Sequence, residues 1–341
     1  KCLVKAIEKE SLMSIIRPFR AFRPTPELAP SIAALPYDVY NSSQARRIVN
    51  AEPMSFLKID RAETLLDEGI DIYSPKVYET ARNTLDGMIQ DGAFIQDETD
   101  CYYIYALTMN GRTQTGLVGC ASIDDYVNSV ILRHENTLEA KEQDRIRHID
   151  TCSAQTGPIF LTHRPNEELR HILNHIKQGA ALYDFTSDDA VRHQVWKIER
   201  PEDIENISRL YKETDHLYIA DGHHRAASAV KVGLSRRAAN PGSSGTEEYN
   251  YFLSVLFPSD ELEIYGYDRV VIDRNGYTDS EFFDKIKDGF HITEAGNTPF
   301  RPSRKGEFGV YCAGMWRRLQ AKPALLSDDP VKGLDVSILQ E

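Results

Sequence analysis

Apolar residues recur along this chain at two spacings, alternate positions that suit strands and steps of three or four that suit helices. The clearest alternation lies in CYYIYALTM and RTQTGLVGCA, which flank Asn110-Gly111. That dipeptide accepts the positive φ angles of a type I′ turn, so the pattern predicts a hairpin. Ahead of it, Val77, Ala81, Leu85, Met88 and Ile89 mark the core face of a helix opened by Ser74-Pro75 and closed near Gly92. A shorter helix is predicted through Val49, with its N-cap among Asn41, Ser42 and Ser43. The stretch RPFRAFRPTPELAPSIAALPYDVY carries too many prolines for a helix and predicts an ordered coil over a surface.

From Asp125 onward, YVNSVILRHENTLEAKEQDRIRHID predicts a charged helical passage, whose plainest role is a solvated face. GPIFLTH, AALYDFT and HQVWKIE predict strands, with helices beginning near Asn166 and Pro201. HLYIADGHHRAASAVKVG then predicts a strand ending at Ala220, a tight turn at Asp221-Gly222 and an alanine-rich helix that stops at Gly233. The polar SRRAANPGSSGTEE that follows predicts a mobile loop, with a lid as one role open to it. YNYFLSVLFP and LEIYGYDRVVI, a helix near Ser280 to Phe290, and strands near EFGVYCA and MWRRLQA complete the alternation. The expected class is α+β, with mixed sheets and helices.

Composition narrows the setting. Over 341 residues, 41% hydrophobic and 27% charged is the balance of a globular protein with room for two cores. With 52 acidic against 40 basic residues, the formal charge of -12 argues against nucleic acid and anionic membranes as partners. The five cysteines are scattered and form no C-x-x-C pair, which suggests neither a disulfide framework nor a zinc knuckle. No apolar run reaches the roughly 18 residues of a membrane span, and the start lacks a signal peptide's apolar core. The expected location is the cytoplasm.

The candidate chemistry concentrates at Asp221-Gly222-His223-His224-Arg225. A strand-to-helix turn aims unpaired N–H groups and a positive dipole end outward, which favours an anion such as phosphate. Gly222 permits close approach, His223 and His224 can donate hydrogen bonds, and Arg225 carries a fork matched to two phosphate oxygens. Replacing Arg225 with Ala is accordingly expected to weaken phosphate binding by roughly 2–4 kcal/mol with little change in fold. Asp221 can accept a proton, hold a metal ion or simply cap the helix. A second cluster holds Arg133, His134, Glu135, Glu139, Lys141 and Arg145, where a carboxylate among cations could serve as general base. Asp38, in Pro36-Tyr37-Asp38-Val39, is a third candidate, a turn former or a substrate contact. A metal site drawing on Asp221, His223 and His224 with His134, His148 or His163 is weighed and not adopted. There is no P-loop, nucleophile elbow, kinase signature or H-E-x-x-H motif.

Taken in order, PFRAFRP, ALPYDVY, RHENT with EAKEQDR, GPIFLTH and YIADGHHRAASA resemble the family called domain of unknown function 1015 (DUF1015). Within them, I-A-D-G-H-H-R-A is similar to the phosphate-binding signature of the ParB/sulfiredoxin-like superfamily, closest to its form in ADP-dependent free serine kinase. The resemblance implies a ParB/sulfiredoxin-like nucleotide-binding core over 125–341 and an N-terminal α/β lobe over 13–124. It implies a phosphotransferase moving phosphate between ADP or ATP, with Mg2+, and serine, phosphoserine or a similar small hydroxyl metabolite. It puts the phosphate grip on Gly222, His223, His224 and Arg225, with Arg133 and His134 beside it. Catalysis falls to Glu135, Asp221 and His223, with Glu135 or Asp221 as the base, and substrate contacts to Asp38, Lys141 and Arg145. Members of the family look longer at the C-terminus, so a chain stopping at GLDVSILQE is expected to be truncated or to belong to a shortened branch, and Met13 is the expected natural start. The alternatives are a non-catalytic nucleotide-binding regulator and a metal-dependent hydrolase. The partners expected are a nucleotide and a small-molecule substrate, with a homodimer left open.

Overall fold

In the computed structural model, which describes residues 13–266 and 268–340, strands Tyr102–Met109 and Arg112–Ser122 meet across Asn110-Gly111. Both turn residues have positive φ, 53° and 77°, the geometry that closes a right-twisted ribbon. This hairpin belongs to a mixed nine-stranded sheet. The strand order is Ile131–Leu132, Leu217–Asp221, Ile159–His163, Tyr251–Pro258, Arg112–Ser122, Tyr102–Met109, Arg192–Ile198 and Tyr183–Thr186. Ile16–Arg17 also pairs on Arg112–Ser122. Most pairs are antiparallel, but Leu217–Asp221 runs parallel to Ile131–Leu132, and Tyr251–Pro258 parallel to Ile159–His163. Strands from both sides of residue 124 thus share one sheet, and the division between two compact units falls between Glu263 and Ile264. The class is the expected mixed α+β.

In the first unit, Ile104, Leu117, Ile159, Leu161, Ile219 and Phe252 bury the sheet under helices Glu167–Ile176, Pro201–Lys212 and His223–Ala239. A separate core gathers Val77, Ala81, Leu85 and Met88 of helix Pro75–Gln90 with Ile59, Phe94 and Cys152. The second unit has its own antiparallel sheet, in the order Phe290–Gly296, Met315–Ala321, Glu307–Cys312. Its helix Asp279–Ile286 opens with a Thr278–Glu281 capping box, and Phe308, Leu319, Ala321 and Ile338 form its core.

Several boundaries differ from the pattern, each for a physical reason. Helix Ser42–Ala51 has the Asn41 cap, with Gln44 completing a capping box. Ser74 occupies the next cap position, yet its hydroxyl caps nothing; Pro75 starts that helix instead. The proline-rich stretch includes a helical turn, Ala29–Ile32, because Pro30 lies in its first turn, where an N–H has no partner to lose. The charged passage is helical only in parts: Ile123–Val127 is one short helix, Ile131–Leu132 joins the sheet, and residues 133–138 form a loop before helix Glu139–Cys152. That last helix is no solvated face, since Glu142, Arg145, His148 and Cys152 are buried on it.

The alanine-rich helix runs past Gly233 to Ala239. A Cβ at Gly233 would lie 2.3 Å from the Tyr249 carbonyl oxygen, so glycine there makes room for a neighbouring chain and does not end the helix. The Gly/Ser-rich loop after Ala239 lies at the far end of this 17-residue helix, about 25 Å from Gly222, too far for a lid on that turn. It is also organised: Glu247 accepts from Ser244 N at 2.6 Å, Gly245 N at 3.0 Å and Ser243 Oγ at 2.8 Å. LEIYGYDRVVI forms no strand in its described residues; Ile264, Val270 and Ile272, at the start of the second unit, stand exposed. The last predicted helix ends at Ile286 because Phe290 opens a strand.

Candidate functional site

Strand Leu217–Asp221 ends in a register shift between Ile219 and Asp221, and the chain turns into helix His223–Ala239 through Gly222 at φ +92°. Glycine meets two needs there. The left-handed angle strains any L side chain, and a Cβ would sit 3.1 Å from the Arg225 Nε and Nη2. The first helical hydrogen bond is Ala226 N–H to the Gly222 carbonyl at 2.9 Å. The N–H groups of residues 223–225 precede it and point out of the helix end, as an anion site requires.

Arg225 is engaged within the turn itself. Its Nη1 donates to the Pro158 carbonyl at 2.6 Å and its Nη2 to Asp221 Oδ2 at 2.8 Å. The fork expected to grip phosphate therefore braces the turn against residues 157–158. Asp221 is exposed and held by Arg225, whereas the carboxylate of Glu135 meets the turn at His223: its Oε2 lies 3.4 Å from His223 Nδ1. The first and second sequence clusters thus come together.

The loop 133–138 is strapped across the helix end by imidazole nitrogens. His224 Nε2 accepts the Leu138 N–H at 3.0 Å, and His223 Nε2 accepts the His134 N–H at 3.5 Å. The His134 ring packs edge-on against His223, centroids 4.4 Å apart. His223 is buried, and burial, then the neighbouring His134, lower its pKa; Glu135 pulls the other way. A neutral ring with its proton on Nδ1 suits both neighbours, accepting from His134 on Nε2 and turning an N–H toward the Glu135 carboxylate. Glu142 fixes the strap's end: the Thr137 hydroxyl and Lys231 both donate to its carboxylate. Burial works to raise the Glu142 pKa, but those two bonds outweigh it and leave it below the ordinary value. Arg133 is tethered aside, donating to the Tyr126 hydroxyl at 3.2 Å with its guanidinium over that ring.

Asp38, Lys141 and Arg145 also come together, in a neighbouring cleft of about 300 Å³. Tyr37, Asp60, Tyr78 and His148 line it as well. Arg145 stacks on Tyr37 at 4.1 Å and bonds Asp144 through Nη2 at 2.7 Å. Burial raises the Tyr37 pKa while Arg145 opposes it, and Arg225 also acts on this hydroxyl. Segment 156–158 joins cleft to turn: the Thr156 hydroxyl donates to Asp60 Oδ1 at 2.6 Å, and Pro158 receives Arg225. A smaller cavity of about 20 Å³ beside His163 and Tyr211 has room for a single water.

Asp60, Thr156 and Glu142 join the site without being singled out for it by the sequence, which names His148 only as a possible metal ligand. A signal exists for His148, since Lys141, Arg145 and His148 recur at i, i+4 and i+7 of a helix. Asp60 and Thr156 give none, because their pairing joins distant segments. Among the described residues, no three His, Cys, Asp or Glu side chains gather as metal ligands. No helix there is long and apolar enough to cross a membrane, and Cys101, Cys120, Cys152 and Cys312 are free thiols.

Comparison with known proteins adds one finding. A family model described as "Protein of unknown function (DUF1015)" matches residues 16–337. No curated protein and no solved structure matches the chain.

Proposed function

The chain belongs to the DUF1015 family, and we propose that it is a phosphotransferase moving phosphate between ADP or ATP and a small hydroxyl metabolite, serine or phosphoserine being the substrates to try first. The observation that carries this reading is Glu135 held 3.4 Å from His223 Nδ1 beside the N-terminus of helix His223–Ala239. An anion-favouring helix end and an oriented carboxylate are the two parts phosphoryl transfer needs. The backbone N–H groups of residues 223–225 hold transferring or nucleotide phosphate. Glu135 takes the proton of the acceptor hydroxyl, whose oxygen attacks the terminal phosphorus as ADP leaves from ATP, or AMP from ADP. Asp221 and Glu135 offer the hard carboxylate oxygens that suit magnesium alongside phosphates, and the ion would offset phosphate charge. Glu135 takes the role of base over Asp221, whose carboxylate is tied to Arg225.

The same turn supports the proposed kinship with ParB/sulfiredoxin-like proteins and ADP-dependent serine kinase. The free thiols support a reducing cytoplasm as its location. The test is a phosphoryl-transfer assay, phosphoserine with ADP and magnesium, then serine with ATP. Conversion that falls by about 10²–10⁴ in Glu135→Gln, with nucleotide affinity kept, is the expected result. Nucleotide binding without turnover would replace this reading with that of a regulator.

A further inference from the structure

The cleft beside the turn presents a definite pattern of hydrogen-bonding atoms. Arg145 is 7% exposed; its Nε and Nη2 bond Asp144 Oδ2 at 2.9 and 2.7 Å, and its plane is fixed on Tyr37. No described residue accepts from its Nη1, and that nitrogen is not sealed in the interior, so it is the edge the guanidinium turns to the cleft. His148, 3% exposed, has Nε2 at 3.1 Å from the Ile59 carbonyl. A carbonyl can only accept, so Nε2 carries the proton and Nδ1 is left as an acceptor. Burial, then Arg145, lower the pKa of this imidazole and keep it neutral near pH 7. Across from them, Asp60 receives Thr156 on Oδ1 and has Oδ2 without a described partner. Lys141 stands at the exposed rim.

The inner part of the cleft therefore combines one cationic donor edge, on Arg145, with two acceptors, on His148 and Asp60. Inorganic phosphate could pair with Arg145, but near pH 7 it is a mono- or dianion whose oxygens are mostly acceptors, and its charge is repelled by the Asp60 carboxylate. A carboxylate that carries a donor elsewhere in the molecule satisfies all three. We propose that this cleft binds a small organic carboxylate bearing a hydroxyl or ammonium group, with the carboxylate on Arg145 and the donor shared by His148 Nδ1 and Asp60 Oδ2. The cleft's role as the acceptor's pocket rests on the phosphotransferase reading; its occupancy does not. A volume of about 300 Å³ suits a metabolite of this size.

Titration calorimetry without nucleotide or magnesium tests it, using D-glycerate, L-serine, propionate and inorganic phosphate. Glycerate, serine or both should bind, propionate at least tenfold more weakly, and phosphate not detectably; which of the first two wins tells hydroxyl from ammonium. Asp60→Asn should weaken the best ligand about tenfold or more. In the wild-type protein labelled with 15N-histidine, the unprotonated Nδ1 signal of His148 should move on binding, a readout that needs no variant to fold. Phosphate binding as tight as either hydroxyl ligand, an unmoved His148 signal, or no binding by any of them would overturn the proposal. Binding without phosphoryl transfer would leave the cleft standing and remove the reaction alone.

Discussion

The Nε2 atom of His224 accepts the backbone N–H of Leu138 at 3.0 Å, across 86 positions of sequence. A side chain expected to donate to phosphate is an acceptor for the strap that carries Glu135. His224→Ala should let the Leu138 amide exchange with deuterium about five- to tenfold faster, the effect of losing about 1 kcal/mol locally. His224→Gln, which can offer Oε1 at similar reach, should restore part of the protection. Equal exchange in all three proteins would show that the strap does not depend on this bond.

Arg225 bears on stability as well as on binding. Removing its bonds to Pro158 and Asp221 in Arg225→Ala should cost about 1–3 kcal/mol in a denaturant titration. This geometry adds a stability cost to the little-changed fold expected from sequence. Arg225→Lys keeps the charge but not the fork and should recover less than half of the loss.

Asp125 carries a pH dependence of defined sign. Burial raises its pKa from 3.8 to about 6, against the Ile15 N–H bond that lowers it. The folded protein therefore holds a proton at Asp125 that the unfolded chain releases, and this group's contribution to stability falls as pH rises from about 4 to 6. Asp125→Asn should be neutral near pH 4 and stabilising by about 1–3 kcal/mol at pH 7.5, measured by urea unfolding. A gain that does not grow with pH would contradict this account.

Two helical glycines should respond in opposite directions. Gly87 has open space where a Cβ would stand, so Gly87→Ala should stabilise by about 0.5–1 kcal/mol. Gly233→Ala drives a methyl into the Tyr249 carbonyl and Ile123, and should destabilise by about 2–4 kcal/mol. Thermal melts of the two variants separate the effects.

What is legible in the sequence follows from how local each feature is. The Asn110-Gly111 hairpin, the Asn41 cap and the strand–Gly222–helix turn are fixed by residues within a few positions of one another. Gly233 reads as a helix stop because its actual reason, the Tyr249 chain, is tertiary. The passage after Asp125 reads as helical because charge pattern alone does not show that Ile131–Leu132 pairs with Leu217–Asp221. At the site, residue types are readable but not directions: nothing in H-H-R says that both imidazoles accept backbone amides or that the guanidinium folds back on Pro158.

The turn is assembled from residues 133–138, 156–158 and 221–225, with neighbouring Ile131–Leu132 and Ile159–His163 pairing on either side of Leu217–Asp221. No one of these pieces has the site's shape until the sheet has brought all of them into register. Ligand affinity and folding free energy are therefore coupled, and an occupant at a hundred times its dissociation constant raises stability by about 2.7 kcal/mol. The natural ligand can thus be sought by thermal shift across a metabolite library, before anything is known of its reaction.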